Sequence, residues 1–166
     1  MTVKSVQDLL VNELRDIYDA EKQLVKALPK MAKAASSEQL RQAFEEHLAE
    51  TRNQVQRLEQ VFEGLDTRSR GKPCEAMRGL VQEANETMEE LKNPQVLDAA
   101  LIAGAQKVEH YEIAAYGSVR ALAETCGHQM VAQLLDETLE EEKGADQKLN
   151  QIALSEVNPA ALEAVA

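Results

Sequence analysis

Four glutamates on four helix-patterned segments are placed where they could hold metal ions together. They are Glu21, Glu50, Glu112 and Glu142. If the segments pair as two helical hairpins, each glutamate lies about 15 residues from the turn of its hairpin, so all four fall near the middle of a bundle. Inward carboxylates at one level are what a four-helix bundle needs to hold two metal ions. The sequence therefore predicts a site for two ions.

Most of these acids stand on apolar helix faces. At about 100° per residue, Glu21 points within about 20° of Leu14 and Leu28. The same count places three further acids inside the apolar stripes of their helices: Glu112, Glu142 and Asp146. Burying unpaired carboxylates costs several kcal/mol or forces them to keep a proton, so a converging group requires a counter-charge. A divalent metal ion is the simplest one, because no basic residue stands centrally on these stripes.

The second helix offers several candidate ligands. Glu50 lies at the border of its apolar stripe. Three other polar residues point inward more directly: His47, Thr51 and Gln54. His47 and Glu50 share a face, as paired ligands would, but a hydrogen-bonded core histidine explains His47 equally well. Glu109 and Asp146 form a second predicted level of acids, about one helical turn from the first.

The elements that must position these residues are four long amphipathic helices. Ala, Leu, Glu, Gln and Lys dominate the chain and aromatic residues make up only 3% of it, which favours an all-α fold. Apolar residues at helical spacing predict long helices over residues 5–35, 36–64, 94–127 and 131–153, and a shorter helix over 74–91. Pro29 lies inside the first helix and is expected to kink its last turn.

Cap residues mark several helix ends. Ser36 and Gln39 form a capping-box pattern at the start of the second long helix. Pro73 stands at the predicted first position of the short helix, and Asn93 is the predicted cap of the third long helix. Gly127 is expected to end that third helix.

The lengths of the connections predict the topology. Short links join the first pair of helices and the last pair, which makes each pair an antiparallel hairpin. About 30 residues join the hairpins, enough to cross the bundle, so the second and third long helices can run parallel. The prediction is a ferritin-like up-down four-helix bundle with one long crossover carrying a short extra helix. This domain spans residues 1–157, and residues 158–166 form a tail too weakly patterned to add to the core.

Composition excludes several partners. The formal net charge of −11 argues against nucleic acid, whose phosphates would be repelled. No stretch approaches the roughly 20 apolar residues of a membrane span, and residues 1–16 contain no apolar signal region, so a cytoplasmic protein is expected. Cys74 and Cys126 lack metal-ligand spacing and are interpreted as free thiols.

Nearly the whole chain, up to Asn158, resembles the YciE/YciF family of bacterial ferritin-like stress proteins. Four runs carry the resemblance: Tyr-Asp-Ala-Glu-Lys-Gln-Leu at 18–24, His-Leu-Ala-Glu-Thr at 47–51, Ala-Gln-Lys-Val-Glu-His-Tyr-Glu-Ile-Ala at 105–114 and Glu-Glu-Glu-Lys-Gly-Ala-Asp at 140–146. The resemblance implies a bundle related to rubrerythrin and other dinuclear iron proteins. It also implies a homodimer, in a family that is induced by stress and has no settled reaction.

The resemblance further implies a ligand set. Rubrerythrin-like sites take Glu from the first helix, Glu-x-x-His from the second and fourth, and Glu-x-x-Glu from the third. Glu21 fits the first position, and Glu109 with Glu112 fits the third. Both expected histidines are replaced, by Asn53 and Ala145, and the proposed substitutes one residue further on are Gln54 and Asp146. Such an oxygen-rich site would suit hard ions such as Mn²⁺ or Fe³⁺.

Three functions follow from these observations and remain open at this point. The first is a dinuclear iron or manganese centre that reduces a small oxidant, dioxygen or peroxide, with Glu21, Glu50, Glu112 and Glu142 as inner ligands. The second is a metal-free, non-enzymatic stress or scaffolding protein that oligomerises through the bundle, which the missing histidines favour. The third is iron storage, which would require a hollow shell that a dimer does not form.

Overall fold

The computed structural model describes residues 3–164, and within this range the chain is all-α. Six helices follow one another: α1 (Val6–Ala34), α2 (Glu38–Gly64), α3 (Glu75–Glu90), α4 (Pro94–Thr125), α5 (Gln129–Ile152) and α6 (Asn158–Glu163). A π-helical segment, Ala153–Val157, joins α5 to α6. Across residues 3–164, none of these helices combines the length and the apolar composition that a bilayer crossing requires.

The four long helices form the predicted ferritin-like bundle. α1 packs against α2 and α4, and α5 packs against the same two helices from the other side. Asp98 near the start of α4 binds Ser36 and Ser37 just before α2, so α2 and α4 start at the same end and run parallel. His128 before α5 and Gln7 at the start of α1 are also hydrogen-bonded, which places the other two helix starts together. The crossover topology is therefore confirmed.

The crossover segment returns along α1. The backbone N–H of Lys72 donates to the carbonyl of Arg15 at 3.1 Å. Gly71 approaches α1 so closely that an added Cβ would lie 3.2 Å from Cβ of Asp19, which explains a glycine at this position. α3 then packs against α4 and α1.

Two predicted caps are wrong, and tertiary contacts explain both. Pro73 precedes α3 rather than opening it, because Asp19 binds the N–H of Cys74 at 2.8 Å and holds that residue as the N-cap. The cap of α2 is Ser37, whose hydroxyl accepts from Leu40 N–H, while Ser36 is bound to Asp98 instead. The other cap assignments are confirmed: Asn93 accepts two N–H bonds from α4, and Gly127 has a φ of 80° after it.

The end of the chain is more helical than the sequence indicated. α5 passes through the π-helical segment into α6, and Glu156 in that segment accepts a hydrogen bond from Ser37 at 2.6 Å. α6 lies on α4 but buries none of its own residues. The residues beyond 157 therefore form an ordered surface helix up to Glu163.

Asp98 ties the start of α4 to the turn between α1 and α2. Its side chain is 3% exposed and accepts the N–H groups of Ser36 and Ser37, each at 2.8 Å, and the Ser36 hydroxyl. We expect Asp98→Ala to lower the free energy of unfolding by about 3 kcal/mol, because it leaves two N–H groups without their charged acceptor. Urea unfolding measures the change. Asp136→Ala, at an exposed aspartate of α5, is the control, with an expected change below about 0.5 kcal/mol.

A buried polar layer divides the apolar core into two halves. One half contains Leu24, Phe44, Leu101 and Leu149, and the other contains Leu14, Leu58, Tyr116 and Leu135. On each of the four long helices, the positions between these halves carry buried polar side chains: Glu21, His47, Thr51, Gln54, Glu109, Glu112, Thr138 and Glu142. The middle of the bundle is therefore filled by buried polar side chains and not by apolar packing.

Candidate metal centre

Five ionisable side chains meet in this central layer. They are Glu21 on α1, His47 on α2, Glu109 and Glu112 on α4, and Glu142 on α5. Each is at most 7% exposed. One ligand atom from each of His47, Glu109, Glu112 and Glu142 lies within 4.8 Å of each of the others. We call these five residues the central cluster.

Glu21 joins the cluster through α1 and is oriented by Tyr116. The Tyr116 hydroxyl donates to Oε1 of Glu21, and both side chains are fully buried. The second oxygen of Glu21, Oε2, has no hydrogen-bond partner within residues 3–164. Tyr116 therefore fixes the rotamer of Glu21 while one carboxylate oxygen stays available for another ligand.

The cluster leaves many buried polar atoms unsatisfied. With the carboxyls ionised, both oxygens of Glu112, both of Glu142 and Oε2 of Glu109 have no hydrogen-bond partner in the described part of the chain. The same holds for both ring nitrogens of His47, although Nε2 lies 3.3 Å from Glu109 Oε1. Buried polar groups nearly always have hydrogen-bond partners, so these unpartnered atoms indicate that the cluster has a role besides filling the core. Carboxylate and imidazole donors at this spacing could hold a metal ion.

Burial and mutual repulsion shift the titration of the cluster. Burial, followed by the charge of Glu142, raises the pKa of Glu21 to about 8. Burial also raises the pKa of Glu109 to about 8, with further contributions from Glu21 and Asp146. The pKa values of Glu112 and Glu142 lie well above the ordinary range, and burial is again the first cause. Without metal, the cluster therefore keeps protons at neutral pH, shared among interacting groups.

His47 is drawn toward its charged form by the acids around it. Burial lowers the pKa of His47, but the nearby carboxylate of Glu50 and the charges of Glu142 and Glu21 outweigh it, so the net shift is upward. The imidazole lies 3.6 Å from Glu50 through Nδ1 and close to Glu109 through Nε2. One histidine among four glutamates cannot neutralise the cluster by itself.

A neighbouring network occupies the nearby arginine. Arg57 binds Glu141 through two nitrogens, each at 2.8 Å, and donates to the Thr138 hydroxyl at 2.7 Å. Gln54 donates to the same Glu141 at 3.0 Å. The guanidinium of Arg57 is thus paired beside the central cluster and not with its carboxylates.

The structure brings together most of the predicted ligands and places three of them differently. Glu21, Glu109, Glu112, Glu142 and His47 form the central cluster. Glu50 is 48% exposed and lies 3.6 Å from Nδ1 of His47, at the edge of the cluster. The side chain of Asp146 is 18% exposed, and its carboxylate lies 3.2 Å from the exposed His110. Gln54 is buried but held by Glu141.

Sequence reasoning missed two members of the surrounding shell. Thr138 is buried one helical turn before Glu142, on the same face of α5, and binds Arg57. Glu141 holds Arg57 and Gln54 next to the cluster. Helical spacing from Glu142 was the signal for Thr138, whereas Glu141 is one of three consecutive glutamates whose individual roles depend on packing.

Comparisons with known proteins agree with this architecture. Residues 5–162 match the family model described as a domain of unknown function, DUF892. The chain is 50% identical to Protein YciF of Escherichia coli strain K12 over 159 residues, which are 95% of this chain and 96% of that protein. Thus the YciE/YciF resemblance is confirmed.

Two solved structures share the fold at similar identity. The crystal structure of the E. coli stress protein YciF superposes with a TM-score of 0.90 at 51% identity, over 94% of this chain and 99% of that one. YcfI from Rhodopseudomonas palustris superposes with a TM-score of 0.88 at 49% identity, over 89% and 94% of the two chains. The match over residues 5–162 shows that the chain belongs to the DUF892 family, and YciF is a relative of this chain at 50% identity.

Proposed function

We propose that the central cluster binds two ions of iron or manganese and that the loaded centre reacts with dioxygen or peroxide. The observation that supports this most is the set of unpartnered, fully buried ligand atoms contributed by all four long helices. Four carboxylates and one imidazole offer more ligand atoms than a single octahedral ion uses, because each carboxylate has two oxygens. A pair of ions therefore uses the cluster better than one.

Different side chains would bind the ions, orient a ligand, exclude water and line the approach of an oxidant. Glu21, Glu112 and Glu142 hold the ions from three different helices, and Tyr116 keeps Glu21 in one orientation. When bound, the ions supply Lewis acidity and electrons. The two apolar halves of the core exclude water above and below the polar layer. His47 and Glu109 lie on the side of the cluster that faces a cavity, where an oxidant can approach.

Metal loading tests the first half of this proposal. Protein produced in medium supplemented with iron and manganese is expected to contain about two ions per chain after desalting, because the cluster supplies enough ligands for both. Elemental analysis measures the content. A reproducible content well below one ion per chain would contradict the proposal.

Reaction with oxidant tests the second half separately. The loaded protein, reduced without air, is expected to consume added hydrogen peroxide faster than the metal-free protein at the same concentration. Equal consumption by the two forms would leave a metal site without the reaction. The proposal takes the protein to be a homodimer, as the family resemblance implies, and to be cytoplasmic, as the sequence analysis expects.

A non-enzymatic scaffold is the second candidate function. The upward pKa shifts favour it, since Glu21 and Glu109, with pKa values of about 8, can remain neutral in a metal-free bundle at pH 7. Asn53 and Ala145 also stand where the family pattern of rubrerythrin-like sites has histidines. The elemental analysis above separates the two functions.

A further inference from the structure

A cavity of about 240 Å³ lies between α2 and α5 and reaches the central cluster. His47 and Glu109 form its inner wall. The remaining wall is mainly apolar and includes Ala43, Phe44, Ala145 and Leu149. At its outer side, Lys148 of α5 pairs with Glu46 of α2, and both side chains are about half exposed. The cavity therefore extends from the exposed Lys148–Glu46 pair to the candidate metal centre.

Small residues on α5 create this space. Gly144 and Ala145 both line the cavity; Gly144 is exposed, whereas Ala145 is half-buried. The small side chain of Ala145 leaves volume beside His47 and Glu109 of the cluster.

The inner wall carries polar groups that lack partners. His47 is 7% exposed, and neither ring nitrogen has a hydrogen-bond partner among the residues the structure describes. Glu109 is 2% exposed, and its Oε2 is equally unpartnered. A ligand that places one hydroxyl-type group against this wall would pair atoms that the fold leaves unsatisfied.

The other residues of the cavity wall indicate the polarity, size and charge of the ligand. Phe44, Ala145 and Leu149 offer an apolar surface that water or hydrogen peroxide alone would not complement. A dry apolar cavity of about 150 Å³ is enough to hold a benzene ring, so this one is large enough for a small organic body. Glu50 and Glu141 also line the cavity, while Lys148 is paired with Glu46, so the surroundings disfavour an anion.

We propose that this cavity binds a small neutral molecule with an apolar body and one hydroxyl-type head, the class that contains organic hydroperoxides and the corresponding alcohols. The head lies against His47 and Glu109, and the body lies against Phe44, Ala145 and Leu149. The role of such a molecule as a substrate rests on the proposed function, whereas its binding does not.

Binding of cumyl alcohol, an unreactive relative of an organic hydroperoxide, tests the proposal. Calorimetry is expected to show one site per chain in the wild-type protein. Ala145→Phe is expected to weaken binding by at least about tenfold, because the ring occupies the cavity. The matched control is Gln147→Phe, an exposed position on the same helix, which is expected to bind like the wild type.

A second variant and a parallel measurement separate the possible failures. Ala145→Leu adds a smaller side chain than phenylalanine at the same cavity-lining position and is expected to weaken binding as well, even if Ala145→Phe fails to fold. Absence of binding to the wild type, or unchanged binding to a folded Ala145→Leu variant, overturns the proposal. Metal content is measured on the same samples: wild-type protein that binds the alcohol but no metal rejects the proposed function and keeps the cavity site.

Discussion

The double variant Glu21→Ala, Glu112→Ala is expected to contain no iron or manganese above background, compared with about two ions per chain in the wild type. The two glutamates come from α1 and α4 and are 0% and 1% exposed, so their loss removes ligand oxygens from two sides of the cluster. Loss of an outer hydrogen-bonding partner alone costs about 10- to 100-fold in metal affinity, and loss of two direct ligands should cost more. Elemental analysis and calorimetric titration with Mn²⁺ measure the effect.

Two controls test whether a loss of metal results from the change in net charge or from the loss of packing. The exposed pair Glu45→Ala, Glu140→Ala changes the net charge equally and should retain both ions, because neither side chain reaches the cluster. Glu112→Gln keeps the side-chain volume and should also lose affinity, which separates loss of the carboxylate from loss of packing. If the folded Glu21→Ala, Glu112→Ala variant keeps two ions per chain, the ligand assignment is wrong.

The metal-free protein is expected to lose stability as the pH rises from about 5 to about 9. Glu21 and Glu109 have pKa values of about 8 in the fold, above the ordinary value of 4.5. A carboxyl with a raised pKa contributes stability that is fully present below 4.5 and is lost as the pH rises through about 8. His47, whose pKa is also raised, acts in the same direction. The total loss is expected to be on the order of 5 kcal/mol, since the groups share protons.

Bound metal should reverse this dependence. A cation takes the place of the retained protons, so the loaded protein should keep its stability where the metal-free form loses it. Urea unfolding at about pH 6 and about pH 9, with and without metal, measures the difference. The metal-free Glu21→Ala, Glu112→Ala variant provides the matched comparison and should show a smaller pH dependence. Equal stability of the metal-free wild type at both pH values would show that the cluster does not titrate as described.

Most of the fold follows from local patterns in the sequence. Helical spacing of apolar residues predicts the helices, and the lengths of the links predict the crossover. The N-cap of α2, in contrast, depends on a residue far away in the chain. Ser36 and Ser37 are adjacent and chemically equivalent, and the binding of Asp98 to Ser36 leaves Ser37 as the cap. Asp98 is 62 residues from Ser36 in the chain, so no local pattern contains that information.

For the site, the sequence by itself determined that Glu21, Glu112 and Glu142 are buried, because they stand within apolar stripes and turn inward with them. The same pattern also placed Asp146 inward, and only the structure shows that its side chain stays 18% exposed. The sequence placed Glu50 at the stripe border of α2, and only the tertiary structure decided that this side chain is 48% exposed while His47 enters the cluster. Successive helix positions differ by about 100°, so a small rotation of α2 against its neighbours determines which border residue faces the core. Packing sets that rotation, and it also leaves the cavity beside Gly144 and Ala145 open to the cluster.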